Sequence, residues 1–285
     1  MNFYYRYRES IIKIIVLLFI LIIIYLVLLV MKSDLFIEYL NIELEKRFYN
    51  SFVISYASLN KNNITIDEID TTIKDEENTS DEYNPIIYIY NTHETEKYKS
   101  EFKSDYSITP DVKLASYILK DYLNDYKIDS YIETKSTIDY VKKNNLSYSD
   151  TYNASRKYLK EIMKKYDFKI LIDLHRDSIS KTLTKDNKKY AKIMFVIGTN
   201  HNNYKNNLKL AESLNKYIEK NCKGISRGVL KKPNSKFNQD FNNNIILIEV
   251  GGVDNTLEEI NNSIYILAKS INDYIKEEKN DWRRN

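Results

Sequence analysis

Two of the three histidines in this chain share a setting that can do chemistry. His93 follows the apolar run Ile86–Tyr90, in NTHETEKY, and His175 follows the run Phe168–Leu174, in IDLHRDS. Glu249 lies near the end of a third run, Ile245–Val250, in LIEVGG. Short unbroken apolar runs read as buried strands, and parallel α/β sheets bind ligands beyond the carboxyl ends of their strands. His93 and Glu96 are spaced i, i+3, so one turn puts an imidazole and a carboxylate on the same face. His175, from a neighbouring strand, completes a His-Glu-His set. Three such donors with an open fourth position describe a catalytic zinc site, which acidifies water and polarises a carbonyl. Glu249 is then the general base, moving a proton from water to a leaving amine. A lone carboxylate in an apolar run is informative, because burying it unpaired is costly. Glu94 is a weaker choice of ligand. His201, in the Asn-rich GTNHNNY, reads as exposed. Arg176 and Asp177 read equally as a substrate clamp or as structure, with an ion pair of Arg176 to Asp173 or another neighbour as the structural alternative.

The elements that must position these residues follow from periodicity. Pro85 opens a compact domain. Beside the three runs, Ile128–Glu133 and Ala191–Ile197 read as strands. Helical spacing covers Asp111–Tyr126, Ser149–Tyr166, Asn203–Asn221 and Asn255–Lys276. Strands alternating with helices predict an α/β domain with a mostly parallel sheet flanked by helices.

Composition narrows the function. Lys and Arg number 43 against 40 Asp and Glu, a net charge of +3, which argues against nucleic-acid binding driven by basic excess. The single cysteine, Cys222, excludes an internal disulfide and thiolate zinc frameworks. Five glycines form neither GxGxxG nor a P-loop, so the usual nucleotide sites are absent.

Residues 14–31 carry no charge and are nearly all Ile, Leu, Val and Phe. Eighteen helical residues span roughly 27 Å, most of a hydrocarbon core. Arg6, Arg8 and Lys13 precede the run, so the positive-inside rule places residues 1–13 in the cytoplasm. Residues 14–31 are then a single transmembrane anchor and the rest is extracytoplasmic. Residues 32–84 read as a helical stalk and an acidic linker, with eight acids against one Lys between Asp67 and Glu82 and a short strand possible at Ile64–Ile69. Residues 85–285 form the catalytic domain.

The segments IYIYNTHETEKY, LIDLHRDS, IMFVIGTNHNNYKNNLKLA, ISRGVL, FNQDF and LIEVGGVDNTLEE resemble, in order, the stage II sporulation protein P family. The resemblance covers about residues 84–275. It implies a metal-dependent peptidoglycan hydrolase related to the zinc N-acetylmuramoyl-L-alanine amidases. The implied activity is cleavage of the amide between N-acetylmuramic acid and the stem peptide, and of peptide cross-links, during engulfment. The implied partners are a lytic transglycosylase (stage II sporulation protein D), a membrane protein (stage II sporulation protein M), peptidoglycan and the membrane. By resemblance His93, Glu96 and His175 are the metal ligands and Glu249 the catalytic glutamate. The middle ligand stays open between Glu96 and Glu101. The chain has Asn91 where the family commonly has His. Arg176, Arg227, Asn238 and Gln239 are candidates to bind carboxylates and amides of the stem peptide. Two other classes are compatible with these residues: an inactive membrane-anchored scaffold, and a zinc carboxypeptidase.

Overall fold

The computed structural model describes residues 18–25, 84–100 and 109–282. The chain divides into two units, Met1–Glu68 and Ile69–Asn285. In the first, residues 18–25 are helical with their side chains exposed. Among the described residues no helix is long and apolar enough to cross a membrane. Most of the expected span 14–31, the stalk and the linker lie outside the described residues.

The second unit is built on six strands: β1 (Ile87–Tyr90), β2 (Ser130–Ile132), β3 (Ile170–Asp177), β6 (Ile193–Gly198), β7 (Ser226–Lys232) and β8 (Ile245–Gly252). Their order is β2-β1-β3-β8-β6-β7. The pairs β1/β2, β1/β3, β3/β8 and β6/β7 are parallel, and β8/β6 is antiparallel. The sheet is thus mostly parallel, as expected, with one reversal. β1, β6 and most of β3 and β8 are buried along their length. Helices cover both faces of such strands, so they read in sequence as unbroken apolar runs, not as alternating ones. β7, at the edge, is half-buried and then exposed, and its sequence SRGVLKK carries no such run.

Among the described residues of this unit, five α-helices connect and cover the strands: α1 (Val112–Asp125), α2 (Thr137–Lys143), α3 (Thr151–Ile162), α4 (Tyr204–Asn221) and α5 (Leu257–Trp282). α1 starts where Asp111 accepts a hydrogen bond from the Leu114 N–H, leaving one fewer unsatisfied donor. α3 is shorter than the expected Ser149–Tyr166 at both ends: residues Tyr148–Asp150 form a 3-10 turn, and the helix stops at Ile162. Four elements carry no strong periodicity and were not expected: α2, β7 and the two strands of an exposed hairpin, β4 (Thr182–Lys185) and β5 (Lys188–Ala191). The hairpin turns at Asp186-Asn187, both at positive φ, a conformation Asp and Asn tolerate. It also divides the expected strand Ala191–Ile197, since Ala191 ends β5 and β6 begins at Ile193.

Candidate active site

β1, β3 and β8 lie side by side and run the same way, so their carboxyl ends share one edge. That alignment brings the predicted residues together. β3 is longer than the run that predicts it, so His175 lies within the strand and pairs directly across from Glu249 on β8. His93 stands in a turn after β1, closed by the Glu96 N–H donating to the His93 carbonyl. The turn presents Glu96 between the histidines. Its Oε1 is 3.5 Å from His93 Nδ1 and its Oε2 is 3.4 Å from His175 Nδ1. One donor atom from each of the three residues falls within 4.8 Å of the other two. Two imidazoles and a carboxylate are donor types that zinc takes, and they lie close enough together to share one ion. Glu96 is further held by the Arg176 N–H, which donates to Oε2 at 3.0 Å. The alternative ligand Glu101 lies outside the described residues.

The electrostatics divide the carboxylates. Burial pushes Glu96 up, but the hydrogen bonds with His175 and His93 outweigh it and hold the group down at about 2. Burial disfavours charge on His175, yet Asp173 and Glu96 together raise it to about 10. Glu249 moves the other way. Burial and the charge of Asp177 push it up to about 7, against the pull of His175 and Arg227. Its Oε2 is buried with no hydrogen-bond partner. The site therefore attracts positive charge at its centre and keeps beside it a carboxyl that exchanges protons near neutrality.

The backbone after Glu249 explains the two glycines of LIEVGG. Gly251 has φ +66°, and a Cβ there would lie 2.4 Å from Ile260 Cδ1. A Cβ on Gly252 would lie 2.6 Å from the Ile179 carbonyl oxygen. The end of β8 thus passes closer to the chain after β3 than any side chain permits.

The model of the stage II sporulation protein P family matches residues 38–272. The chain belongs to that family. It is 33% identical over 191 residues to stage II sporulation protein P of Bacillus subtilis (strain 168), a match covering 61% of this chain and 47% of the relative. The chain therefore spans about half the length of that curated relative. Similar solved structures include the CwlD amidase from Clostridioides difficile in complex with the GerS lipoprotein, at 17% identity and a TM-score of 0.45. That likeness covers 67% of this chain and 98% of the other. An N-acetylmuramoyl-L-alanine amidase from Clostridium difficile 630 is also 17% identical, with a TM-score of 0.44 and coverage of 68% and 96%.

The other residues singled out in the sequence are placed differently. Arg176 does not pair with Asp173. Its Nε donates to the Lys97 carbonyl and its Nη1 to the Asp177 carbonyl, tying the His93 loop to β3. Arg227, at the start of β7, pairs with Asp177 at the end of β3. Asn238 is buried, donating to the Tyr152 carbonyl and Ser155 Oγ and accepting from Arg156. Gln239 is fully buried and clasps β6, accepting from the Gly198 N–H and donating to the Val196 carbonyl. Glu94 caps α2, accepting from the Ile138 N–H and the Ser136 hydroxyl. Asn91 bridges β1 to the Leu174 carbonyl and to Ser116. His201, expected to be exposed, is half-buried with both ring nitrogens covered and unpartnered, and burial lowers its pKa.

Sequence reasoning missed three neighbours of the site. Tyr148 stacks on the His93 ring at 5.2 Å between centroids, and Tyr152 meets it edge-on at 5.4 Å. Both come from the 3-10 turn and α3, among so many tyrosines that their type carries no signal. Asp173, fully buried, lies 2.9 Å from His175 Nε2. Its signal was present: an acid inside the apolar run FKILIDL.

Proposed function

We propose that this chain is a membrane-anchored, zinc-dependent peptidoglycan hydrolase of sporulation. It cleaves the amide between N-acetylmuramic acid and the stem peptide, and peptide cross-links where these enter the same site. The observation that carries the reading is the convergence of His93, Glu96 and His175 beside the buried carboxyl of Glu249. His93, Glu96 and His175 would hold the ion. Bound there, zinc supplies Lewis acidity, drawing charge from a carbonyl oxygen and making water a better nucleophile at neutral pH. Glu249 takes the proton from the attacking water at Oε2 and returns it to the amine, which leaves only once protonated. A carboxyl held at about 7 suits both halves of that transfer. Tyr148 and Tyr152 pack against His93 and limit its rotation. Arg227, half-buried at the rim beside Asp177, is the proposed contact for a stem-peptide carboxylate.

The anchor is residues 14–31, with the N-terminus cytoplasmic and the catalytic domain outside. The described part of that span is an apolar helix exposed all round, as a lipid-facing helix is. The proposed partners remain a lytic transglycosylase and a membrane protein of sporulation.

The test is release of soluble products from purified peptidoglycan by the full chain in detergent, with mass spectrometry of the products. Chelator is expected to stop release, zinc to restore it, and His175→Ala to abolish it. Free stem peptides mark the amidase. Released terminal amino acids would make it a carboxypeptidase, and chelator-insensitive release would sink the metal reading.

A further inference from the structure

We infer that Asp173 is a positioning residue that sets both histidines of the metal site and holds His175 with Nδ1 turned to the ligand cluster. The inference rests on the metal-site reading proposed above. Asp173 sits on β3 two residues before His175, so both side chains leave the same face of the strand. It is fully buried, and a carboxylate there is tolerated only if its lone pairs are used. Oδ1 accepts the Thr92 N–H at 2.9 Å, and Oδ2 accepts the Thr92 hydroxyl at 2.7 Å. Thr92 immediately precedes His93. One carboxylate thus joins the backbone carrying the first histidine to the strand carrying the second.

The same Oδ1 lies 2.9 Å from His175 Nε2. The ring is not aligned for a hydrogen bond, and Nε2 has no other partner. When the ring is neutral, as a metal ligand must be, the nearer of its two carboxylates favours the proton on Nε2. A neutral imidazole carries its proton on one nitrogen and a lone pair on the other. A proton on Nε2 faces an anionic oxygen and leaves the Nδ1 lone pair towards Glu96 Oε2, 3.4 Å away. The reverse tautomer sets two lone pairs against each other at Asp173 and presents a proton to the ligand cluster. Carboxylates behind ligating histidines act in this way generally.

The orientation is held from further away. Thr92 Oγ1, which donates to Asp173, also lies at hydrogen-bond distance from Ser155 Oγ, 2.9 Å away. Ser155 in turn accepts from Asn238 Nδ2 at 3.0 Å. Ser155 Oγ itself donates to the Tyr152 carbonyl at 3.3 Å. A buried polar chain therefore runs from Asn238 through Ser155 and Thr92 to Asp173 and His175. This gives Asn238, in FNQDF, a place behind the site instead of in it.

The test uses the full chain in detergent, labelled with ¹⁵N-histidine. Three histidines make the spectrum assignable by single substitution. In the zinc-loaded wild type, His175 is expected to carry its proton on Nε2, and a proton on Nδ1 overturns the inference. Asp173→Asn should weaken zinc binding about 10–100-fold in competition with a chelator, and should change the visible spectrum of the cobalt-substituted protein. Asn207→Ala serves as the stability control, because Asn207 pins the Asn242 and Ile245 carbonyls at the start of β8. It should lower the melting temperature and leave zinc affinity within twofold. Equal zinc affinity in Asp173→Asn and wild type overturns the inference, as does an equal loss in Asn207→Ala. If Asp173→Asn does not fold, the wild-type tautomer decides alone. A wild type that takes up no zinc overturns the metal reading itself, and this inference with it.

Discussion

The carboxyl-end edge of β1, β3 and β8 and the loop at residues 236–241 are both rich in polar side chains, and they treat them in opposite ways. In the loop the side chains of Asn238, Gln239 and Asp240 are paired. Gln239 satisfies two backbone groups of β6, Asn238 makes three hydrogen bonds, and Asp240 takes both arms of Arg156. At the strand ends His175 Nε2 and Glu249 Oε2 are buried without a hydrogen-bond partner, and two carboxylates crowd one imidazole. Buried polar groups cost free energy unless partnered, so a cluster left under-satisfied marks a place kept for a ligand or a proton. The paired loop holds the sheet and the unpaired edge is where chemistry is proposed, although FNQDF and LIEVGG look equally promising as strings.

The sharpest break of this contrast is Glu249→Gln. Losing the proton-transfer group should lower hydrolysis about 10²–10⁴-fold, with zinc affinity nearly unchanged, measured as product release at saturating zinc. Activity above a tenth of wild type would remove Glu249 from the mechanism. Next in size is Gln239→Ala, which leaves the Gly198 N–H and the Val196 carbonyl unpaired in the interior. A loss of about 2–4 kcal/mol in denaturant unfolding is expected, with zinc affinity retained. A selective loss of zinc affinity or turnover without destabilisation would place the loop in the site after all.

A smaller effect follows from the pKa of Glu249 in chelated protein. The fold holds the group at about 7, above its ordinary value of 4.5. The folded state therefore binds the extra proton, and this stability is complete below about pH 4.5 and lost as pH rises towards 7. Glu249→Gln lacks that decline, so its melting temperature should gain on wild type between pH 5 and pH 8. An unchanged difference would show that the carboxyl is not buried as described. Smallest is Arg156→Ala. Its bidentate pair with Asp240 is partly exposed, at 31% and 21% of the side chains. The expected loss is about 1 kcal/mol, reduced by salt in thermal melts.

Much of the fold was legible because central strands buried on both faces leave unbroken apolar runs, as in Ile86–Tyr90, Phe168–Leu174 and Ile245–Val250. Edge and surface elements were not legible. β7 is too exposed to need apolar residues, and α2 is too short to show a period. Within the site, His93, Glu96, His175 and Glu249 stood out because ionisable groups are rare at the ends of such runs. The tyrosines around His93 did not, since aromatic residues are common throughout the chain.

By itself the sequence determined the alternation of strand and helix, the strand ends bearing histidine and glutamate, and the apolar segment at residues 14–31. Those follow from local hydrophobicity and residue type. Only the tertiary structure decided that β1, β3 and β8 are neighbours, that Glu96 faces both histidines, and that Asp173 serves Thr92 and His175 instead of Arg176. Strand order and side-chain partnership depend on contacts between residues some 80 positions apart along the chain, whose geometry is set by packing and leaves no periodic trace.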